Sequence, residues 1–340
     1  MIRTRAILIT GVNGEIGHGL VMAVKDQRNE DIIGLDVEEV DRSLKASLLE
    51  NITGNILDQN ILDHINSRFE LTAIYHLAAL LSTRAEFSPR TAHQVNVDGT
   101  FNLLALAVDQ SRSQGRPVKF FFPSSIAVYG LANLKEKNKA GQLSEKQYLF
   151  PQTMYGCNKL YCELLGTYYA EHYERLAADA GALRVDFRSL RFPGLISAVT
   201  LPVGGSSDYA PEMLHAAAQG QPYECFVRKD TAMPFMTMPD AIRATLMLME
   251  APREALTRRV YNIGAFAPTA GQLRQRVLKD FPKARITFAM DEKRQAMVDS
   301  WPTDVDDTAA RTDWGWQPQH SFEEAFAYYL IPHLRNRYGI

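Results

Sequence analysis

The chain has 340 residues, enough for about two domains or one large α/β unit with an attached lobe, and enough to bury a core without disulfide or metal staples. An apolar fraction of 46% and a charged fraction of 22% are ordinary for a globular protein, which excludes a mainly disordered, collagen-like or coiled-coil chain. Thirty-seven basic against 39 acidic residues leave a net charge of −2, so no broad electrostatic footprint for nucleic acid is expected.

Cys157, Cys162 and Cys225 make no disulfide framework and read as small buried thiols in a reducing, cytoplasmic compartment. The histidines show neither HExxH nor a Cys/His cluster, so no metal site is expected. No apolar run approaches the ~18 residues of a spanning helix. Met1-Ile2-Arg3-Thr4-Arg5 runs at once into a strand-like segment, so no signal or transit peptide is expected.

In chain order, residues 6–10 read as a strand. Residues 14–25 read as a helix, because Ile16, Leu20, Val21 and Val24 recur at helical spacing. Strands at 31–36, 51–56 and 72–79 follow, then a helix at 91–111 with Val95, Phe101, Leu104 and Val108 on its apolar face. A strand at 118–124 precedes a polar, lysine-rich stretch at 131–147, read as a solvated surface loop. A long helix at 155–173 and a strand at 184–192 complete the alternation. Near-continuous apolar strands alternating with helices predict an α/β, Rossmann-type doubly wound parallel sheet with a smaller mixed α/β lobe. After Phe192, Pro193-Gly194 and residues 202–207 are loop chemistry. A helix at 210–219, short strands at 223–227 and 235–238, a helix at 240–250 and a strand at 259–264 returning to the main sheet are expected. From residue 269 the tail reads as two or three helices with a strand at 285–289. The expected division is a nucleotide-binding domain of 1–193 plus about 232–266, and a substrate lobe of about 194–231 plus 267–340.

The first strand leads into Gly11-Val12-Asn13-Gly14-Glu15-Ile16-Gly17, a G-x-x-G-x-x-G loop that opens a helix. Gly11 allows the tight turn, Gly14 lets backbone approach a diphosphate, and Gly17 lets helix and strand pack closely. Asp36 ends the second strand, where an acid accepts from the ribose hydroxyls. Glu38 and Glu39 follow it, a grouping that repels a 2′-phosphate and favours NAD over NADP.

Tyr155 and Lys159 stand four apart, on one face of a helix. An ammonium near a phenol stabilises phenolate, and oxidised nicotinamide adds to that, which lowers the phenol pKa toward working pH. Ser124-Ser125 at the end of a strand offers a hydroxyl to hold the substrate oxygen. A base, a cation, a positioning hydroxyl and a hydride acceptor together suit oxidation of an alcohol to a ketone.

These motifs, with Ser125-x-x-x-Tyr129-Gly130, resemble the extended short-chain dehydrogenase/reductases, the NAD-dependent epimerase/dehydratase superfamily. Further segments narrow the resemblance to the short-chain type of L-threonine 3-dehydrogenase: residues 76–82 (HLAALLS), 122–130 (FPSSIAVYG), 191–197 (RFPGLIS), 204–210 (GGSSDYA) and 299–302 (DSWP). The resemblance implies NAD-dependent oxidation of the β-hydroxyl of L-threonine, or a close β-hydroxy amino acid, to the 3-oxo acid. It implies Tyr155 as base, Lys159 on the nicotinamide ribose and Ser125 on the reacting hydroxyl. NAD would meet Gly11, Asn13, Gly14, Glu15, Ile16, Gly17, Asp36, Asn55, Ile56, Leu77, Ala78, Ala79, Phe192, Pro193, Leu195 and Ile196. Ser82, Ser124, Ser206, Ser207, Asp208 and Trp301 would line the amino-acid pocket. His76, at a strand end near the cofactor, reads as a satisfied core histidine. A homodimer is implied, paired through the helices at 91–111 and 155–173, with Tyr161, Leu165, Tyr168 and Tyr169 at the seam.

Some residues depart from the pattern. Ser206-Ser207 stands where Thr-Thr is usual, losing two methyls at ~0.8 kcal/mol per buried CH₂. Asn55 stands where a carboxylate is common, and residues 131–147 and 172–183 are longer than in compact members. The alternative on the same scaffold is a nucleotide-sugar epimerase or dehydratase, which needs a diphosphate clamp of Arg or Lys. The 204–208 segment is acidic and hydroxylic instead, which suits a zwitterion. A non-catalytic NAD-sensing module needs the glycine loop but not the Ser125, Tyr155, Lys159 set.

Overall fold

The structure, a computed structural model, describes residues 3–28, 30–176, 185–202 and 205–340. Met1, Ile2, the expected strand start at Arg184, residues 177–183 of the expected insertion and Gly204 lie outside the described residues. In chain order the elements begin with β1 (Thr4–Thr10), α1 (Glu15–Arg28), β2 (Ile32–Asp36), α2 (Arg42–Lys45), β3 (Glu50–Thr53), α3 (Gln59–Arg68), β4 (Phe69–His76), α4 (Ser82–Phe87) and α5 (Pro89–His93). A π-helical turn at Gln94–Asp98 leads into α6 (Gly99–Gln114), β5 (Lys119–Ser125), α7 (Leu134–Ala140), β6 (Gln142–Leu143), α8 (Met154–Glu171) and β7 (Asp186–Phe192). Then come β8 (Gly194–Ile196), α9 (Tyr209–Ala218), β9 (Tyr223–Cys225), β10 (Phe235–Thr237), α10 (Met238–Glu250) and β11 (Val260–Asn262). The chain finishes with α11 (Ala270–Asp280), β12 (Ile286–Phe288), α12 (Glu292–Asp299), β13 (Asp304–Val305), α13 (Thr308–Trp314), α14 (Phe322–Glu324) and α15 (Ile331–Tyr338).

Among the described residues, the main sheet runs β3-β2-β1-β4-β5-β7-β11. β1 pairs in parallel with β2 and β4, β2 with β3, and β4 with β5. This is the α/β, Rossmann-type architecture expected from the alternation. Ile7, Leu8 and Ile9 are all buried, because helices cover both faces and leave no solvent side for a polar alternate. The strand order reverses at β1, between β2 and β4. In such sheets ligands bind beyond the carboxyl ends of the strands at that reversal, here beside Thr10 and His76.

The chain divides into two compact units. The first comprises Met1–Ser124, Cys157–Leu190 and Thr245–Val260. Its core gathers Leu8, Ile33, Leu71, Ile74, Leu104, Val108, Phe120, Phe122 and Phe187. Phe187 stacks on Phe120 and Phe122 at 6.0 and 6.2 Å between centroids. Gly166 of α8 lets the helix close over Phe187, where a Cβ would collide with the ring. Buried Arg188 pairs with Asp186 at 2.7 Å and donates to the carbonyls of Leu248 and Ala251, capping the end of α10. The second unit comprises Ser125–Gly156, Arg191–Ala244 and Tyr261–Ile340. It holds the parallel pairs β8/β10, β9/β12 and β6/β13.

Several expectations need correction. The single helix at 91–111 is three pieces, because the π turn at Gln94–Asp98 inserts a residue and shifts the helical phase. Leu103, Leu104, Ala107 and Val108 then face the core, and Phe101 turns out to 49% exposure. The stretch 131–147 is not a solvated loop. It forms α7 and β6, with Asn133 capping α7 at Glu136 N. Lys137 is buried, and its ammonium donates to Val298 O at 2.9 Å. Pro193-Gly194 is not a plain loop either. Gly194 opens β8, its missing side chain leaving room for the Phe235 ring on β10. Cys157 is exposed, whereas Cys162 and Cys225 are buried thiols.

Candidate active site

In the first unit the glycine loop sits at the sheet's reversal point. Gly11 has φ +71°, and a Cβ there would lie 2.7 Å from Ala78 N. A Cβ on Gly17 would lie 2.5 Å from Gly11 O, and one on Gly14 would lie 3.2 Å from the same oxygen. The turn therefore presents bare backbone at the head of α1, where the positive end of the helix dipole favours an anion. Glu15 and Ile16 form the first turn of α1. Asp36 accepts from Asn13 N at 3.0 Å and from Glu38 N at 3.2 Å, so its carboxylate sits against the loop. Asn13 ties the loop onward, donating to Glu39 O and accepting from Asp41 N. A dinucleotide diphosphate fits this cradle, and a ribose fits beside Asp36. Ile56 is buried, whereas Asn55 is exposed, with its amide oxygen turned back on Leu57 N.

Leu77, Ala78 and Ala79 follow β4, opposite Gly11. Ala78 N donates to Thr10 Oγ1. His76 is a core histidine held from both sides, with Nδ1 at 3.0 Å from Thr10 Oγ1 and Nε2 at 2.9 Å from Thr100 Oγ1. The Thr100 hydroxyl already donates to Asn96 O, so it accepts from Nε2–H, and Thr10 donates to Nδ1. Burial holds this imidazole neutral, its pKa pushed down to about 3. Asn96, in the π turn, grips Leu80 through both its N–H and its C=O, at 2.8 and 3.0 Å. That fixes the approach to Ser82, the first residue of α4. Asn96 escaped the sequence reading, its only signal being an amide inside an apolar helix.

Also in the first unit, Lys159 is buried on α8. Its ammonium donates to Pro123 O at 2.6 Å and lies 4.6 Å from the centre of the Phe122 ring. Burial lowers its pKa to about 8. Ser124 is buried too, and its hydroxyl donates to Glu163, one turn beyond Lys159.

In the second unit, Ser125 caps the short 3₁₀ turn Ile126–Val128 by accepting from Ala127 N at 3.1 Å. Gly156 lets the first turn of α8 close on that turn, since a Cβ there would strike Ala127 O. Tyr155 is thereby brought to Ser125, whose side chain hydrogen-bonds the phenol. Burial raises the Tyr155 pKa above its ordinary value, and the Ser125 bond opposes the rise. The expected lowering thus does not arise from the protein alone. Tyr155 and Lys159 share one face of α8, four residues apart.

Phe192 is the buried end of β7, and Pro193 leads into Leu195 and Ile196 of β8. Asp208 turns its carboxylate back on Gly205 N at 2.7 Å at the head of α9. Ser206 is buried with its hydroxyl 3.9 Å from Met297 Sδ, Ser207 is half-buried, and Trp301 is buried just beyond α12. A cation missed by the sequence reading lies here. Arg294 of α12 donates to Gly205 O at 2.9 Å.

Comparison with known proteins adds context to this geometry. The family model described as "NAD dependent epimerase/dehydratase family" matches residues 7–264. A curated relative, the mitochondrial L-threonine 3-dehydrogenase of Bos taurus, is 36% identical over 319 residues, 93% of this chain and 79% of that protein. Among solved structures, an L-threonine dehydrogenase from Cupriavidus necator in its holo form superposes with a TM-score of 0.83 at 37% identity, covering 98% of this chain and 99% of the other. A monomeric L-threonine 3-dehydrogenase from a metagenome, in its apo form, does so with a TM-score of 0.84 at 33% identity, covering 97% and 99%.

Proposed function

We propose that this chain, which belongs to the NAD dependent epimerase/dehydratase family, oxidises the β-hydroxyl of L-threonine, or of a close β-hydroxy amino acid, to the 3-oxo acid with NAD. The observation that carries the reading is the hydrogen-bonded Ser125–Tyr155 pair with Lys159 one turn further along α8, in a chain 36% identical to an L-threonine 3-dehydrogenase.

The residues divide the work as follows. Ser125 holds the substrate hydroxyl oxygen, and Tyr155 takes its proton as the phenolate, a form that burial opposes and that the Ser125 bond, Lys159 and the positive charge of bound NAD⁺ would favour. Loss of that proton prepares C3 to become the carbonyl carbon of 2-amino-3-oxobutanoate. When bound, NAD⁺ supplies the hydride acceptor and a positive charge. Lys159 holds the nicotinamide ribose, and Ser206, Ser207, Asp208 and Trp301 receive the amino acid. Ser124, its hydroxyl engaged by Glu163, supports the end of β5 rather than the substrate. Asp36 with Glu38 and Glu39 selects NAD over NADP, by repulsion of a 2′-phosphate. Residues 1–193 with about 232–266 carry the cofactor, and about 194–231 with 267–340 the substrate.

No helix of the described residues is long and apolar enough to cross a membrane. We further propose a homodimer through α6 and α8. Phe101, Tyr161, Leu164 and Tyr168 are exposed there, an aromatic and aliphatic face on two helices of the first unit, whereas Tyr169, expected at the seam, is buried in the core and Leu165 packs against that core.

The test is NADH formation at mildly alkaline pH by purified protein across a panel of β-hydroxy amino acids, with NAD⁺ and NADP⁺ in parallel arms. Threonine is expected to lead, with NAD⁺ strongly preferred. Silence across the panel, with a thermal shift on UDP- or GDP-sugars, would overturn the reading in favour of a nucleotide-sugar enzyme.

A further inference from the structure

The residues assigned above to the amino acid include a carboxylate, Asp208, but no cation. A zwitterion removed from water against Ser125, Tyr155, Ser206, Ser207, Asp208 and Trp301 would have a partner for its ammonium and none for its carboxylate. An unpaired desolvated carboxylate is costly, and arginine forks are the usual answer.

The missing charge is on α12. Asp291 caps this helix by accepting from Lys293 N and Arg294 N at 2.9 and 3.0 Å, which fixes the first turn. Arg294 leaves that turn with its guanidinium carbon 3.2 Å from the centre of the buried Phe226 ring, a cation–π contact that holds the guanidinium over that ring. One edge donates to Gly205 O at 2.9 Å. Met297, one turn on, meets the Ser206 hydroxyl, and the chain leaves α12 into Trp301. One short helix thus joins the Gly205–Asp208 segment to Trp301 and places a guanidinium at the junction. Among the described residues, that guanidinium makes one side-chain hydrogen bond, to Gly205 O, which leaves N–H donors for a ligand. The neighbouring Glu212 lies within reach of the Arg294 charge, but its carboxyl is engaged elsewhere. That carboxyl accepts from Tyr223 Oη at 2.8 Å, and burial raises its pKa.

We infer that Arg294 is the anchor for the substrate carboxylate, and so the residue that makes this an enzyme of amino acids rather than of simple amino alcohols. The inference rests on the function proposed above and names the group that decides its substrate class.

The test compares L-threonine with (R)-1-aminopropan-2-ol, which keeps the carbinol and the amine and lacks the carboxylate. Both are measured with NAD⁺ as substrates, and each also as a ligand by calorimetric titration, on wild type, Arg294→Gln and Arg294→Lys. In wild type, threonine should be preferred by about 100-fold or more, the scale of a buried charge-assisted contact. Arg294→Gln should lose most of that preference. Its kcat/KM and affinity for threonine fall about 100-fold, while those for the amino alcohol change less than about threefold. Arg294→Lys, keeping the charge without the fork, should recover part of the loss. If Arg294 merely staples Gly205, both ligands weaken in parallel and the anchor is overturned; unchanged threonine binding overturns it as well. Wild type that neither binds nor oxidises threonine overturns the underlying function and the anchor together, a result distinct from either of the others.

Discussion

Lys137→Met turns the burial of one charge into a stability measurement. Lys137 is 2% exposed, and its pKa falls from the ordinary 10.5 to about 8 because burial disfavours the charged form. A fall of that size corresponds to about 3 kcal/mol carried against the folded state at pH 7. The bond to Val298 O at 2.9 Å returns about 1 kcal/mol, which methionine forfeits. At pH 7 the variant should therefore be more stable by about 2 kcal/mol. The sign reverses with pH. Below about 8 both folded and unfolded chains hold the proton and the penalty is full. Above that the folded amine releases it first, the unfolded chain binds more protons, and wild type gains on the variant until both are deprotonated above 10.5. Urea unfolding of both proteins at pH 7, 8, 9 and 10 reads this as a converging and then crossing pair of curves. Parallel curves with a fixed gap would show that the buried ammonium carries no such penalty.

Four further outcomes follow from named contacts. Gly17→Ala places a Cβ 2.5 Å from Gly11 O, so the loop must move off the head of α1; NAD⁺ affinity by titration should fall at least tenfold with little change in threonine affinity. Arg188→Met leaves Asp186 buried without its partner and uncaps the end of α10, a loss of about 3–5 kcal/mol in urea unfolding. Loss under 1 kcal/mol would mean the pair is relaxed by water. Light scattering should return twice the chain mass, and Tyr168→Asp should halve it; a monomeric wild type refutes the dimer. Asn96→Ala, releasing both bonds to Leu80, should raise KM more than it lowers kcat.

What the sequence made legible is what is local. The glycines, the acid at the end of β2 and the four-residue step from Tyr155 to Lys159 are each written within a few positions, so spacing and residue type suffice to place them. His76 was readable as a core residue for the same reason, being the last residue of an apolar strand. The π turn was not, because one inserted residue changes the phase of a helix without changing its composition. Lys137, Asn96 and Arg294 were not, because each is defined by a partner far along the chain: Val298, Leu80 and Gly205. A lysine in a polar stretch reads as solvated until a carbonyl from another helix meets it. The phenol's ionisation was misjudged for a related reason. Burial, which raises its pKa, is a property of the packed chain, whereas the nearby lysine is visible in the string.

The account stands most directly on the proton that Tyr155 removes. NADH formation from L-threonine, followed at 340 nm for wild type and Tyr155→Phe, isolates it, with thermal melts and NAD⁺ titrations confirming that the variant folds and binds cofactor. The account predicts a loss of about a thousandfold in kcat with both controls unchanged. A Tyr155→Phe protein that keeps its turnover within tenfold of wild type would contradict it.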